Sequence, residues 1–447
     1  MARRRLAILF VTWFFPPFDT MGALRLGKMA KHFLARGHDV RVVCAEGLPY
    51  GRSVPVEVPD ERIYRAGWID VNGFPKRVQR LRRLIQGGGG ASADASPAPA
   101  PAAPASAPSS AEGSPLRRLR DLYLNLTNLP DPQIGWYPGA VRAGRRALAG
   151  WRPDLVFASA PPPTALLIGR RLAGIAGVPW VAEYRDRWTE DPYFPPPRWR
   201  QWLDRTMEDR VLGSAAAIVT VSEPWAADYV ARWGKPVSVV YNGFDPDDFP
   251  ADFDRRPNDP AVLDIVYTGV LYGDRRDPSP LFAALALMGE EAKAVQVHFY
   301  GAEPDVLAAK VARHGVAGSV QIHGRVPYRE AIRVQMEADV LLLMQWTDPK
   351  EAGNSPGKLF EYIGARRPVL GLGLDDGVPA RILRTRDAGV MVNDPAAIAA
   401  QLRRWLADKR RLGAIPLLPM AARDGLSRTD QYAALEATLA ALVAARR

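Results

Sequence analysis

The segment Gly353–Leu370, GNSPGKLFEYIGARRPVL, concentrates more usable chemistry than any other stretch of the chain. Ser355 is a good helix cap and Pro356 suits a first helical position, so a helix is expected to begin there. The free amides and positive dipole end of a helix start make a cradle for a diphosphate. Lys358 falls in the first turn, where its ammonium would add to phosphate binding. Glu361 follows three residues later on the same face, placed to accept hydrogen bonds from ribose hydroxyls. The plainer alternative is an ordinary capped helix with a surface lysine and glutamate. Two charges on a helix that should lie buried beside a strand end favour the nucleotide.

Other residues fit the same chemistry. Gly269, Gly301 and Gly324 each close an apolar run (IVYT, VHFY and VQIH). Without a Cβ, each lets backbone or ligand come close at the end of a strand. Turns use glycine routinely, but three at equivalent places suit the lining of a nucleotide pocket. Asp274-Arg275-Arg276-Asp277 follows the Gly269 strand, and paired guanidinium forks match phosphate oxygens; a solvated loop is the alternative. Arg185-Asp186-Arg187-Trp188 follows a run ending in Glu183-Tyr184, facing the loop Phe15-Pro16-Pro17 to Gly22 and Arg25 after the first strand. Asp186 could act as a base or orient an acceptor hydroxyl, or it could form a structural Asp–Arg pair.

These residues need a scaffold that gathers strand ends, and the chain reads as one. Short apolar runs alternate with helical patterns, the signature of doubly wound parallel sheets. In the first half, strands are expected at Ala7–Val11, Val40–Cys44, Leu155–Ser159, Trp180–Tyr184, Ile218–Val221 and Val237–Tyr241. A helix near Ala23–Ala35 follows a loop through Gly22 and stops at Gly37. In the second half, strands are expected at Ile265–Tyr267, Val297–Tyr300, Val320–Ile322, Val340–Met344, Val369–Leu372 and Val390–Val392. The turn-rich stretch Asn242–Pro260 separates the halves. Ligands of such sheets sit at the carboxyl ends of the strands, so a cleft between two domains is the expected site.

Composition is compatible with this. The 447 residues are 47% hydrophobic and 24% charged, with 12 Trp, 14 Tyr and 14 Phe, which excludes wholesale disorder. The single cysteine, Cys44, excludes an internal disulfide and a cysteine-rich metal site, as expected of a cytoplasmic chain. The apolar run Leu6–Phe15 is too short to span a bilayer and lacks a cleavage pattern, so a buried strand is expected rather than a signal. Net charge is +11, from 59 Lys and Arg against 48 Asp and Glu. Residues 87–115 hold only Gly, Ala, Ser, Pro, Asp94 and Glu112, an insertion with nothing to bury. Lys76, Arg77, Arg80, Arg82, Arg83, Arg117, Arg118 and Arg120 flank it, so about half the net charge falls there. These are either solvated helix ends or a patch leaning on anionic lipid at the inner face of a membrane.

The chain resembles the retaining, family-4 type of glycosyltransferase with the GT-B fold, particularly those that build bacterial surface polysaccharides. The resemblance rests on FFPPFDTMGALRLGKMAKHFLARGHDV, SAPPPTALLIG, VAEYRDRW, VVYNGFDPDDF, YTGVLYGDRRDP, and SPGKLFEYIGARRPVL through GVMVNDPAAIAAQL. It spans nearly everything outside the insertion. It implies two Rossmann-like domains: residues 1–243 for the acceptor and 244–425 for a nucleotide-sugar donor, with 426–447 crossing back to the first domain as a helix. It implies a hexosyl transfer from a UDP- or GDP-sugar, a substrate rather than a cofactor, to a glycan or lipid-linked acceptor, with no metal and no other cofactor. Glu361 would bind the ribose, while Lys358 with Arg275 or Arg276 would neutralise the diphosphate. Gly22 would approach the donor phosphates, and Asp186 would line the acceptor side. Ser355, Gly269 and Gly301 would complete the donor site.

The chain departs from the family at three points. Gly353 stands eight residues before Glu361, where a first glutamate is usual, and Glu351 is the nearest acid. Val270-Leu271 follows Gly269 where an arginine is usual. Tyr184-Arg185-Asp186 falls where a histidine often sits. Alternatives are a nucleotide-sugar 2-epimerase of the same fold, a catalytically silent relative, and a basic nucleic-acid-binding protein. Only five histidines occur, at 32, 38, 298, 314 and 323, few of them placed for the acid–base work of an epimerase, and no nucleic-acid module is recognisable. Nucleic acid is therefore not an expected partner.

Overall fold

A computed structural model of the protein describes residues 5–73, 115–190, 196–250, 252–255, 259–272 and 275–445. Of the insertion at 87–115, only Pro115 is among them, as the first residue of a helix. The basic residues 76–83 and Asp274 also lie outside the described residues. The chain divides into two compact units: residues 1–221, 225–240 and 434–447 form the first, and residues 222–224 and 241–433 the second.

The first unit is built on seven parallel strands: β1 (Ala7–Thr12), β2 (Asp39–Ala45), β3 (Ile63–Ala66), β4 (Leu155–Ala160), β5 (Trp180–Tyr184), β6 (Ala217–Thr220) and β7 (Val237–Val239). Their order is β3-β2-β1-β4-β5-β6-β7, so the direction of winding reverses between β1 and β4. The connecting helices are α1 (Met21–Ala35), α2 (Pro115–Thr127), α3 (Tyr137–Leu148), α4 (Thr164–Ala176), α5 (Arg198–Leu212) and α6 (Glu223–Trp233). Every residue of β4 and β5 is buried, as parallel strands covered by helices on both faces require. Phe10 of β1 meets Phe33 of α1 and Phe157 of β4 edge-on, with ring centroids 6.0 and 5.3 Å away. The four-residue β3 escapes the sequence pattern: IYRA is short, half polar and pairs only with β2 at the sheet edge.

The second unit repeats the plan with six parallel strands: β8 (Leu263–Thr268), β9 (Val295–Tyr300), β10 (Val320–Gly324), β11 (Val340–Met344), β12 (Val369–Leu372) and β13 (Gly389–Met391). Their order is β10-β9-β8-β11-β12-β13, so winding reverses between β8 and β11. Helices α7 (Ser279–Met288), α8 (Pro304–His314), α9 (Tyr328–Glu337), α10 (Gly357–Gly364), α11 (Val378–Thr385) and α12 (Pro395–Leu412) connect them. Phe282, Leu285, Leu402 and Leu406 pack in one core, and Leu359, Phe360, Ile363 and Leu383 in another. The last helix, α13 (Arg428–Ala444), begins in the second unit, and its residues from Ala434 count with the first. There Glu436 meets Arg36 at 3.0 Å and His38 at 3.2 Å. Among the described residues no helix is long and apolar enough to cross a membrane.

Small residues set how closely the helices approach the first sheet. A Cβ built on Gly169 of α4 would overlap the Cβ of Ala158 in β4, and one on Gly144 of α3 would overlap Leu172 of α4. Gly169→Val should therefore destabilise the protein by about 1–3 kcal/mol, because the buried interface has no room for added carbons. Chemical denaturation checks this; a variant as stable as the parent would contradict the close packing.

Candidate active site

In the second unit three glycines with positive φ stand at the carboxyl ends of adjacent strands: Gly269 (139°), Gly301 (83°) and Gly324 (68°). They are laced together, the Gly269 amide donating to the Tyr300 carbonyl at 2.6 Å and the Gly301 amide to the Gly324 carbonyl at 2.5 Å. Gly269 closes β8, at the point where winding reverses. A Cβ built there would overlap the Lys358 ammonium, so glycine serves here both the left-handed backbone and the close approach of a cation.

Lys358 lies in the first turn of α10, its ammonium 4.7 Å from the centre of the Tyr267 ring. Burial, then the nearby Arg276 charge, push its pKa well below the ordinary lysine value, against the pull of Glu361 and Glu303. A desolvated cation short of negative charge is a site for an anion. Arg276 is fixed by a 3.0 Å bond to the Val270 carbonyl and sits 4.5 Å from the Tyr272 ring; Arg275 lies over Trp346 at 5.6 Å. Glu303 holds the same loop by accepting the Leu271 amide at 2.8 Å. The Val270-Leu271 stretch, which lacks the family's usual arginine, thus supplies the backbone carbonyl that anchors Arg276.

Glu361 is buried one turn further along α10. One carboxylate oxygen receives the Gln335 amide at 3.3 Å, and the other has no hydrogen-bond partner. Burial raises its pKa; Arg428, Gln335 and Lys358 work to lower it, and Asp248 opposes them. Ser355 differs from expectation. It does not cap the helix: Pro356 occupies the cap position, with no side-chain cap. Pro356 is itself extended (φ −69°, ψ 139°), so the helix starts at Gly357, one residue later than the serine suggests. The Ser355 hydroxyl is instead buried without a partner, while its carbonyl receives the Asn242 side chain at 2.8 Å. Gly353 is buried, and Glu351 accepts a 2.7 Å bond from Asn354.

In the first unit the loop after β5 carries Asp186, whose side chain is exposed. Gly22 does not lie in a loop. The Thr20 hydroxyl accepts the Ala23 amide at 3.1 Å, starting α1 at Met21, and Gly22 sits in its first turn against Phe14 and Arg185. Sequence reasoning missed the charged centre beside them. Glu183, fully buried at the end of β5, receives Arg25 at 2.9 Å, the Ser159 hydroxyl, and Arg185 at 3.5 Å. Arg25 also donates to the Val240 carbonyl at 2.9 Å. Burial works to raise the Glu183 pKa, but the two guanidinium charges and the hydroxyl outweigh it and hold the carboxyl below its ordinary value. The available signal was one charge in each of two otherwise apolar faces. A cavity of about 340 Å³ opens nearby, lined by Tyr184, Arg187, Glu190, Glu208, Tyr229 and Arg232 among others. Among the described residues no group of three His, Cys, Asp or Glu side chains is placed to hold a metal ion.

Two doubly wound parallel sheets in separate units, the second with cations and a carboxylate gathered at its switch point, define the GT-B class of glycosyltransferase. Residues 100–248 match the model for Glycosyltransferase Family 4, and residues 263–408 that for Glycosyl transferases group 1, together about two thirds of the chain. The chain is a family 4-like glycosyltransferase. Sucrose-phosphate synthase from Thermosynechococcus elongatus is similar over 99% of this chain and 100% of its own, at 15% identity and a TM-score of 0.63. HepE of Anabaena, solved with UDP and glucose, matches at 14% identity over 98% and 100% of the chains (TM-score 0.59). WaaG, a glycosyltransferase involved in lipopolysaccharide biosynthesis, matches at 14% identity over 98% and 99% (TM-score 0.56). A search of the curated proteins finds no match.

The Arg25–Glu183 pair yields a stability prediction. Arg25→Met leaves a carboxylate buried without its main counter-charge and should cost about 3–5 kcal/mol. Because the folded pKa of Glu183 is depressed, its contribution is present at neutral pH and lost only as pH falls through the folded value. In the variant burial is no longer outweighed, so acid unfolding should begin at higher pH. Unfolding followed by circular dichroism from pH 7 to pH 3 checks both; an unchanged acid limb would contradict the assignment.

Proposed function

We propose that the protein transfers a hexose from a UDP- or GDP-sugar to a glycan or lipid-linked acceptor with retention of configuration, and that residues 244–425 bind the donor. One observation carries this reading: Lys358, Arg276 and Glu361 converge beside the Gly269–Gly301 backbone at the switch point of the second sheet. The bond to break joins the anomeric carbon to a diphosphate oxygen, and the leaving group gathers negative charge as it departs. Lys358 and the Arg275–Arg276 pair neutralise that charge, the largest electrostatic task of the reaction. Glu361 accepts the ribose hydroxyls through its unpartnered oxygen. Gly269 admits the Lys358 ammonium to the strand end, and Gly301 and Ser355 complete the donor site. Residues 1–243 bind the acceptor, with Gly22 at the mouth of α1 and Asp186 orienting the hydroxyl that forms the new glycosidic bond and gives up its proton to the departing diphosphate. The UDP and glucose of the HepE structure add weight to a uridine donor, and no metal or other cofactor enters this scheme.

An acceptor carried on lipid would bring the enzyme to a cytoplasmic membrane face, and the first unit's surface suits that. Leu119, Leu122 and Leu126 of α2 are exposed, as are Trp199 and Trp202 of α5. Arg200 joins the two helices, its guanidinium bonding the carbonyls of Asn125, Asn128 and Pro130. Exposed Arg142, Arg145 and Arg146 of α3 and Arg170 and Arg171 of α4 stand on helices that carry no acid. Exposed apolar and aromatic side chains and exposed arginines on the same unit fit an anionic lipid surface.

Thermal unfolding with UDP, GDP, ADP and CMP tests the donor site. One nucleotide at about 100 times its Kd should stabilise the protein by about 2.7 kcal/mol, and Glu361→Ala should abolish most of that shift. No response to any nucleotide would sink the donor reading, and an inverted anomer in the product would refute retention. Co-sedimentation tests the membrane reading: vesicles of phosphatidylglycerol and phosphatidylcholine should retain the protein, and pure phosphatidylcholine should retain less. Trp202→Ser combined with Leu122→Ser should release it from both; equal binding by variant and parent would refute this surface.

A further inference from the structure

Resting on the donor reading above, we propose that Tyr267 is a positioning residue for the donor diphosphate, its ring seating Lys358 and its hydroxyl fixing the carbonyl that holds Arg276. Tyr267 is the next-to-last residue of β8 and is 1% exposed. Its ring centre lies 4.7 Å from the Lys358 ammonium. Its hydroxyl donates to the Val270 carbonyl at 2.8 Å, and the same carbonyl accepts the Arg276 guanidinium at 3.0 Å. One buried side chain thus supports two cations that must meet one ligand. A ring face and a carbonyl place a cation without cancelling its charge, which stays available to phosphate oxygens.

Gly269 creates the need for such a residue. It admits the Lys358 ammonium to the strand end, but a residue without a Cβ leaves the turn that follows free to swing. The Val270–Leu271 peptide is a rigid plane, so holding its two polar groups fixes the turn. The Leu271 amide is held by Glu303 at 2.8 Å, and the Val270 carbonyl by the Tyr267 hydroxyl. A carbonyl oxygen has two lone pairs, and the second is left for Arg276. Arg276 is gripped further by its backbone amide, which donates to the Leu271 carbonyl at 3.1 Å, and by the Tyr272 ring at 4.5 Å. Tyr272 presents that ring from a left-handed backbone, φ 58°, a conformation unfavourable to any residue with a Cβ. The loop therefore accepts local strain and spends a buried hydroxyl to keep one guanidinium in place beside Lys358.

The test is calorimetric titration with UDP and with GDP of the parent, Tyr267→Phe, Tyr267→Leu, Arg276→Met, Lys358→Met, and Tyr267→Phe combined with each cation change. Circular dichroism confirms folding in each. Phenylalanine keeps the ring and loses the hydroxyl, so Tyr267→Phe should bind the diphosphate about tenfold more weakly. Tyr267→Leu loses both supports and should bind about a hundredfold more weakly. With Arg276→Met already present, Tyr267→Phe should change affinity less than about twofold; with Lys358→Met present it should keep its full effect. Uridine and guanosine carry no phosphate, so saturation-transfer NMR should find their binding unchanged by Tyr267→Phe. An equal loss in all three backgrounds, or an equal loss for nucleoside and diphosphate, would make Tyr267 merely structural and overturn the proposal. If Tyr267→Phe does not fold, the double variant Arg276→Met/Lys358→Met decides: a loss smaller than the product of the single losses supports the shared seat, and a loss equal to that product overturns it. A parent that binds neither nucleotide overturns the donor reading and this inference with it; a parent that binds while Tyr267→Phe matches it overturns this inference alone.

Discussion

A lysine ammonium pressed against the backbone of Gly269 is the contact on which the second unit's site depends. It needs a residue with no Cβ at the end of β8, a helix α10 that carries the lysine in its first turn, and an aromatic floor in Tyr267. Each requirement follows from putting a cation where water is scarce. Desolvation weakens its hold on its proton, and the protein supplies a ring face and two more distant carboxylates rather than an adjacent counter-ion. A charge left in that condition gains most from an anion that arrives from outside.

The two units treat buried charge at their switch points in opposite ways. In the first, Glu183 accepts from Arg25 and from the Ser159 hydroxyl, with Arg185 at 3.5 Å, which ties the end of β5 to α1. In the second, Glu361, Ser355 and Arg428 each leave a buried polar atom without a hydrogen-bond partner. A closed network stabilises and orients; an open one is completed by a ligand.

Charge on the outside is distributed by a different logic. Arginines on α3 and α4 are exposed, unopposed by acids on their own helices, and share the unit with exposed leucines of α2 and tryptophans of α5. Leucine and tryptophan side chains held in water gain by being covered, and arginine by meeting phosphate. The basicity of the chain is therefore partly a surface property of the first unit and not confined to the flanks of the insertion.

Much of this was legible in the sequence. Buried parallel strands read as short apolar runs, so of the thirteen strands among the described residues twelve were visible, and IYRA, short and half polar at an edge, was not. Glycine after a strand and a lysine and a glutamate three residues apart on a helix are local patterns, and Gly269, Gly301, Lys358 and Glu361 could be singled out from them. Local pattern misled where neighbours in sequence compete: Pro356 displaced Ser355 from the cap, and Thr20 drew Gly22 into α1. What the sequence could not carry was partnership across long separations. Arg25 meets Glu183 only because the strand order brings their elements together, and a buried charge takes its meaning from whichever group the fold sets beside it.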